Sequence, residues 1–167
     1  MPPPRAALLL PSTTESRLYW DRSTYDSPAA QRQALTQSRT LYVGNLSFST
    51  RSAQLRSHFH KIGPVEKIIM GLDRVQKTPC GFAFVVYRSR PDALAAVAHL
   101  SGTWLDGNVI RVELDAGFQP GRQYGRGVSG GQVRDDRRKR MMQESSTTHD
   151  APPSMDGALP SKRQRTD

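Results

Sequence analysis

The sequence is poor in cysteine, and this limits the chemistry that it can carry. Cys80 is the single cysteine among 167 residues. One thiol cannot form an internal disulfide, and it cannot supply a metal site built from several cysteines. Such a composition suits a reducing compartment.

Long hydrophobic runs are also missing. The longest apolar stretch near the start, AALLLP, is far shorter than the roughly 20 residues that a membrane-spanning helix needs. It is also short for the apolar part of a signal peptide, and PSTTESR follows it instead of a small-residue cleavage site. We therefore expect a soluble, intracellular chain without a membrane partner.

Nothing in the sequence resembles a catalytic or cofactor-binding constellation. The histidines have no metal-like spacing with Cys80; they are His58, His60, His99 and His149. The stretch GRGVSGG lacks the G-K-[ST] of a nucleotide-binding P-loop and follows no strand-to-helix pattern. We predict a protein that is not an enzyme and that has no metal and no cofactor.

Acidic residues are outnumbered by basic ones. The chain has 24 Lys and Arg against 15 Asp and Glu, a formal net charge of +9 and an isoelectric point of about 10.3. This balance favours a polyanionic partner, nucleic acid more than an anionic membrane surface. A solvated basic surface would have the same charge, so composition alone leaves both interpretations open.

The composition changes along the chain and predicts four parts. Residues 39–114 hold nearly all the periodic apolar content, which predicts one folded domain. Residues 1–38 are predicted to form a flexible extension. Residues 115–136, the Gly/Arg segment, have too little apolar content to form a core. Residues 137–167 are predicted to form a disordered basic tail.

The central part follows the order β-α-β-β-α-β. Strands are indicated by RTLYVGNL, VEKIIMGL, CGFAFVVY and NVIRVEL. Thr50 is expected to cap a first helix in which Leu55 and Phe59 recur at helical spacing, and Pro91 opens a second helix. We predict an α+β fold, a four-stranded antiparallel sheet with two helices on one face and flexible extensions at both ends.

One face of this sheet must pack on the helices, and three rings are predicted on the other. Alternation along the third strand puts Phe82 and Phe84 on the face of Tyr42, and Val85 and Tyr87 on the opposite face. Exposed rings are costly in water unless a flat group stacks on them. Bases are flat, and stacking contributes about 1–3 kcal/mol per base. The alternative, with both phenylalanines in the core, would expose Val85 and Tyr87.

These residues carry a resemblance to a known family. LYVGNL (41–46) and CGFAFVVY (80–87) resemble the two signature sequences of the RNA-recognition motif, and the second departs only at Cys80, where a basic residue is usual. TLYVGNLSF, IIMGLDRVQKTPCGFAFV and DAGFQPGRQYGRGVSGGQVRD resemble the small subunit of the nuclear cap-binding complex. This resemblance covers about residues 39–136. In that family the Gly/Arg segment is flexible without ligand and folds over the sheet around an mRNA 5′ cap.

The resemblance implies a site for 7-methylguanine, a base with a delocalised positive charge. Two aromatic rings can sandwich such a base through stacking and cation–π attraction. Tyr42 would supply one ring from the sheet, and Tyr19 would supply the other from the N-terminal extension. From the residues alone, Trp20 and Tyr25 remain alternatives for the second ring.

Polar residues of the fourth strand are expected to bind the edge of the base. Arg111, Glu113 and Asp115 alternate along the strand, so their side chains point the same way. The carboxylates can accept the guanine N1 and N2 hydrogens, and Arg111 can donate to O6. The family usually has Asp where this chain has Glu113, whose extra methylene moves the carboxylate further out.

The Gly/Arg segment is expected to bind the phosphates and ribose of the cap. Arginines supply planar bidentate donors, and an amide side chain and a backbone N–H supply neutral ones. The residues implied are Arg122, Arg126, Gln132, Val133 and Arg134. Arg137 stands where the family tends to have Tyr, so the ordering of the segment is expected to differ here.

The resemblance therefore implies a small subunit that binds the 7-methylguanosine cap of nuclear RNA polymerase II transcripts. Such a subunit supports pre-mRNA processing, splicing and RNA export. Its implied partners are capped RNA, a large helical-repeat subunit, and the import and export machinery. The helix faces and the loop residues Asp73, Arg74 and Lys77 are candidates for the subunit contact.

The expected location is the nucleus, with shuttling to the cytoplasm. RRKR (137–140) and KRQR (162–165) are candidates for a nuclear-import signal, although either could equally be a nonspecific phosphate-attracting arm. Two other functions stay open: a generic single-stranded RNA-binding splicing factor, and a protein-interaction module built on the same fold.

Overall fold

The computed structural model describes residues 20–147, and its elements follow the predicted order with additions at both ends. In chain order they are α1 (Pro28–Leu35), β1 (Thr40–Gly44), α2 (Ser52–His60), β2 (Val65–Leu72), β3 (Pro79–Tyr87), α3 (Arg90–Leu100), β4 (Trp104–Leu105), β5 (Asn108–Val109), β6 (Arg111–Asp115) and α4 (Val133–Thr147). Within residues 20–147, none of the helices is both long and apolar enough to cross a bilayer.

Strands β2, β3, β1 and β6 form one antiparallel sheet in that order, which confirms the predicted fold class. In the register, Tyr42 of β1 pairs with Phe84 of β3 on one side and with Glu113 of β6 on the other. Paired residues on neighbouring strands point to the same face of a sheet. The sheet therefore places an aromatic ring on one side of Tyr42 and a carboxylate on the other.

Helices α2 and α3 pack on the opposite face and form the core with it. Leu55 and Phe59 of α2 are fully buried against Val85 and Tyr87 of β3. The hydroxyl of Tyr87 donates to the carbonyl of Phe59 at 2.7 Å, so this buried polar group has a partner. Burying a side chain such as Phe59 contributes about 1.5–3 kcal/mol.

The start of α2 differs from the prediction. Thr50 is buried and donates from its hydroxyl to Asp106 at 2.9 Å, so it does not cap the helix. Arg51 occupies the N-cap position, and its backbone N–H donates to the side chain of Gln54 at 2.8 Å. A long-range hydrogen bond therefore replaces the local cap that the sequence suggests.

The predicted fourth strand, NVIRVEL, is divided in two. Asn108 and Val109 pair with β4 in a separate two-stranded sheet. Asp106 and Gly107 turn this hairpin with φ of 51° and 82°, the left-handed backbone that its two-residue turn requires. Pairing with β1 begins only at Arg111.

Helices α1 and α4 lie outside the predicted domain. Ser27 caps α1 by accepting the N–H of Ala30 at 3.1 Å, and Pro28 follows at the first helical position. Helix α4 runs through residues 137–147, the first part of the predicted disordered tail. Its sequence is rich in Arg, Lys, Met, Gln and Glu, which favour helix, and it has acidic residues in its first turn.

Candidate nucleic-acid interface

Tyr42, Phe82 and Phe84 lie together on the sheet face opposite the helices, as predicted; we call them the aromatic platform. The ring centroid of Tyr42 is 5.9 Å from that of Phe82 and 5.9 Å from that of Phe84. Val85 and Tyr87 point into the helical core. This arrangement excludes the alternative in which the two phenylalanines pack against the helices.

The aromatic platform is largely covered. Phe82 is 5% exposed and Phe84 is 2% exposed, whereas Tyr42 is only partly buried. The ring of Phe118 packs on Phe84 with 5.4 Å between centroids, and the guanidinium carbon of Arg122 lies 4.9 Å from the same ring. The Gly/Arg segment therefore lies over Phe84, and Phe118 is a covering residue that the sequence analysis missed.

The Gly/Arg segment is held along the edge of β2. The N–H of Leu72 donates to the carbonyl of Gln123 at 2.7 Å, and the N–H of Gly125 donates to the carbonyl of Leu72 at 2.8 Å. A Cβ at Gly125 would overlap the carbonyl oxygens of Gly130 and Gly131. Glycine is therefore required here for two stretches of backbone to approach each other.

The loop between β2 and β3 also contacts the Gly/Arg segment. The backbone N–H of Arg74 donates to the carbonyl of Gly130 at 2.8 Å, and its Nη1 donates to the carbonyl of Gly125 at 3.3 Å. The Nζ atom of Lys77 lies 4.0 Å from the ring centroid of Tyr124. The resemblance implies that this loop contacts a partner subunit. The contacts within this chain do not test that prediction.

Two carboxylates and two guanidinium groups form a continuous chain of ion pairs. Arg122 donates to Asp115 from Nη1 and Nη2 at 2.6 and 2.9 Å, and its Nε lies 3.1 Å from Oδ2 of Asp21. Arg126 donates to both oxygens of Asp21 at 3.1 Å. The charge of Arg122, predicted to bind phosphate, is therefore compensated by two carboxylates.

Asp21 is a site residue that the sequence analysis missed. It is 2% exposed and accepts from the N–H and hydroxyl of Ser23 at 3.1 and 2.6 Å and from the hydroxyl of Thr24 at 2.9 Å. Burial alone would raise its pKa, but hydrogen bonds from Arg126, Ser23 and Thr24 outweigh burial and hold the pKa well below its ordinary value. The pattern D-x-S-T, typical of an Asx turn, could have marked this position.

Arg111, Glu113 and Asp115 lie on one face of β6, as predicted, but their surroundings differ. Arg111 and Glu113 hydrogen-bond to each other through Nη2 and Oε1, and both side chains are more than half exposed. Asp115 is mostly buried and is held by Arg122. An exposed ion pair contributes little to stability, so Glu113 can exchange Arg111 for another donor at low cost.

Residues at the end of the Gly/Arg segment place donors near Tyr42. Gln132 accepts from the Tyr42 hydroxyl at 3.3 Å and donates to the Cys80 carbonyl at 2.8 Å. Val133 begins α4, so its N–H is outside the helical hydrogen-bond ladder. Arg134 donates to Oδ1 of Asn45 at 3.3 Å, and about half of its side chain is exposed. The segment is thus tied to the platform through Gln132.

Cys80 occupies the position of the motif that is usually basic. Its side chain is buried, and burial raises the pKa of the thiol to about 11. The thiol is therefore neutral at physiological pH and supplies no charge for a phosphate, while the backbone carbonyl of the same residue binds Gln132.

Most of the predicted site residues line one cleft above the sheet. Its volume is about 370 Å³, within the range typical of small-ligand sites. The predicted residues in its wall are Tyr42, Phe82, Phe84, Glu113, Asp115, Arg122, Arg126, Gln132 and Val133. Arg111 and Arg134 are outside this set and contact Glu113 and Asn45 instead. Gln31, Leu35 and Tyr124 also line the cleft, and the sequence analysis missed them.

The predicted second ring, Tyr19, lies outside the described residues. Of the alternatives, Trp20 donates from Nε1 to the carbonyl of Tyr25 at 3.1 Å. Burial, and then the charge of Asp115, raises the pKa of the Tyr25 phenol. Neither ring is part of the cleft wall, whereas Tyr124 is.

The βαββαβ fold and its aromatic platform define the class of protein, an RNA-binding RNA-recognition motif. The family model described as "RNA recognition motif" matches residues 41–111. This match confirms the class that the two signature sequences predict.

Curated relatives named "Nuclear cap-binding protein subunit 2" match well beyond this motif. The Homo sapiens protein is 51% identical over 133 residues, which cover 80% of this chain and 85% of that protein. The Xenopus laevis protein is 49% identical over 134 residues, with 80% and 88% covered, and the Ixodes scapularis protein is 53% identical over 120 residues, with 72% and 79% covered. The chain belongs to the nuclear cap-binding protein subunit 2 family, which confirms the predicted resemblance.

Proposed function

We propose that this protein binds the 7-methylguanosine 5′ cap of nuclear RNA polymerase II transcripts as the small subunit of a nuclear cap-binding complex. It acts as a binding protein, not as an enzyme, and supports pre-mRNA processing, splicing and RNA export. The observation that carries the proposal is the cleft, where a tyrosine ring, two carboxylates and several donors meet over one sheet face. The name of the relatives makes the cap the first ligand to test.

The base is proposed to stack on Tyr42. This ring is partly accessible within the cleft, while Phe82 and Phe84 beside it are buried and support it. Tyr19 supplies the opposite face of the sandwich. The methylated base is cationic, so each ring adds a cation–π attraction of about 0.5–2 kcal/mol that unmethylated guanine does not receive.

Two carboxylates are proposed to accept the guanine N1 and N2 hydrogens. Asp115 is oriented by two hydrogen bonds from Arg122, and Glu113 is exposed beside Tyr42 in the sheet register. We assign Arg122 to positioning Asp115, because its charge is already compensated by Asp115 and Asp21. Arg111 donates to O6 of the same base edge.

The phosphates and ribose are proposed to bind the remaining donors of the Gly/Arg segment. Arg126 is 41% exposed, so its guanidinium can reach a ligand while it contacts Asp21. Gln132, the N–H of Val133 and Arg134 follow it toward the start of α4. The helix N-terminus there favours a negative charge.

The proposed partners are capped RNA, a large helical-repeat subunit, and the import and export machinery. We propose a nuclear location with shuttling to the cytoplasm. RRKR (137–140) lies on α4, whereas KRQR (162–165) lies outside the described residues. The exposed faces of α2 and α3 are proposed for the large subunit because the other face of the sheet carries the cleft.

Competitive elution tests the proposed function. The protein, purified with its large subunit, is retained on immobilised 7-methyl-GTP and washed with free nucleotide. We expect release by 7-methyl-GTP and not by GTP at the same concentration. Equal release by both nucleotides would favour a generic RNA-binding function, and no retention at all would favour a protein-interaction module.

A further inference from the structure

Helix α4 has one face turned toward the rest of the protein. On this face Asp136 accepts from the hydroxyl and the N–H of Ser129. The hydrogen bond from the Ser129 hydroxyl lowers the pKa of Asp136, and the charge of Lys139 adds to this effect. The charge of Lys139 also acts on Asp73 in the loop after β2. Lys139 therefore lies on the side of α4 that faces these carboxylates.

The other face of α4 is open and basic. Its residues follow one another at helical spacing and line a shallow groove; they are Arg134, Arg137, Arg138, Met141, Met142 and Ser145. Met141 is 71% exposed and Met142 is 64% exposed. Among the side chains that the structure describes between residues 20 and 146, none forms a hydrogen bond or ion pair with Arg137 or Arg138.

This open face begins at the cleft. Val133 is both the first residue of α4 and part of the cleft wall. With a rise of about 1.5 Å per residue, Arg137 and Arg138 lie only about 6–8 Å further along the helix axis. A polyanion that leaves the cleft at Val133 therefore meets Arg134 first and the next two arginines one turn later.

We propose that the open face of α4 binds the RNA chain that follows the cap, through phosphate contacts from Arg137 and Arg138. The inference rests on the proposed function, since the cap in the cleft is what brings the RNA to Val133. A single-stranded RNA backbone complements the charge of this face. Met141 and Met142 continue the face, and their thioethers can contact base rings.

The test compares a cap nucleotide with a capped chain. The full-length protein, bound to its large subunit, is titrated with 7-methyl-GTP, a short capped oligonucleotide and its uncapped counterpart. The variant is Arg137→Gln with Arg138→Gln, because Gln has nearly the helix propensity of Arg. We expect its affinity for 7-methyl-GTP to stay within about twofold of the wild-type value, because neither arginine lines the cleft.

The capped oligonucleotide should respond to the double variant. Each lost phosphate contact lowers the salt slope by about 0.7 for single strands, so two contacts lower it by about 1.4. From about 50 to about 200 mM salt, the wild type should then lose about sevenfold more affinity than the variant. Lys139→Gln with Arg140→Gln removes the same charge from the same helix, at positions outside the open face, and should leave the slope unchanged.

Two results would overturn the inference. The first is the same salt slope in the Arg137/Arg138 variant and the wild type. If the variant then weakens only binding to an import receptor, the two arginines belong to an import signal and not to an RNA site. The second is an equal change in the Arg137/Arg138 variant and the Lys139/Arg140 control. Failure of the proposed function would look different, because the wild type would then not prefer 7-methyl-GTP to GTP. The salt slope for the uncapped oligonucleotide would still show whether the open face of α4 contacts RNA phosphates.

Discussion

Asp21 and Arg122 lie 3.1 Å apart, Oδ2 to Nε, and this contact joins the residues before β1 to the Gly/Arg segment after β6. Both side chains are almost inaccessible to solvent, at 2% and 11%. Removing charges from water is costly unless they are paired, so each segment compensates the charge that the other buries. Tyr19, the proposed second ring, precedes Asp21 by two residues in the sequence.

Asp21→Asn should weaken cap binding without unfolding the sheet. The substitution removes the charge that pairs with Arg122 and accepts hydrogen bonds from Arg126, and a hydrogen bond to a charged group contributes about 1.5–3 kcal/mol. We expect affinity for 7-methyl-GTP to fall at least tenfold, at about 1.4 kcal/mol per decade. Asp26→Asn, at an exposed carboxylate in the same segment, is the matched control. Equal affinities for the two variants would contradict the role of Asp21.

Attachment of the N-terminal segment should depend on pH through Asp21. The folded-state pKa of Asp21 lies below the ordinary value of 3.8. Its charge therefore stabilises the attachment above about pH 3.8, and this stabilisation is lost as the pH falls from there through the folded-state pKa. We expect amide exchange at residues 20–27 to accelerate, relative to the core, as pH falls below about 4. Asp21→Asn should lack this acceleration, and the same pH response in both proteins would show that another group is responsible.

Replacing Tyr42 should remove discrimination for the methylated base. Tyr42→Ala loses a stacking face of about 1–3 kcal/mol together with its cation–π share, so affinity for 7-methyl-GTP should fall tenfold or more while affinity for GTP falls far less. Tyr42→Phe loses only the hydroxyl that donates to Gln132 and should keep most of the binding. Titration of both nucleotides into each variant measures this. An equal loss for both nucleotides would refute the sandwich.

The same titration can locate the second ring. Tyr19→Ala should match Tyr42→Ala if Tyr19 closes the sandwich, because either substitution leaves the base with one stacking face. Tyr124→Ala is the comparison that the structure adds, since Tyr124 lines the cleft. A silent Tyr19→Ala together with a large effect of Tyr124→Ala would move the second ring to the Gly/Arg segment.

Gly125→Ala should displace the Gly/Arg segment from the edge of β2. The added Cβ would overlap the carbonyl oxygens of Gly130 and Gly131, and such overpacking costs about 1–3 kcal/mol. At Gly131 a Cβ would meet only Oδ2 of Asp73 at 3.7 Å, an ordinary contact, so Gly131→Ala is the matched control. We expect faster amide exchange at Leu72 and weaker 7-methyl-GTP binding in Gly125→Ala alone. Normal exchange in that variant would contradict the close approach of the two backbones.

The sequence by itself determined the sheet and the face on which each ring lies. Side chains along a strand alternate between faces, so Phe82 and Phe84 share one face while Val85 and Tyr87 share the other, whatever packs above them. The hairpin at Asp106 and Gly107 also has a local signal, since Asp-Gly is a favoured two-residue turn. These features depend on neighbours in the chain, so a pattern in the sequence is enough to predict them.

Only the tertiary structure decided how the segments that flank the domain meet over the platform. Many basic side chains could pair with Asp21, and charge alone does not select Arg122 and Arg126 among them. The choice follows from Gly125 and the edge of β2, which hold the Gly/Arg segment where its arginines meet both Asp21 and Asp115. Ion pairing acts between whichever charges the backbone brings together, and that backbone path depends on the whole fold.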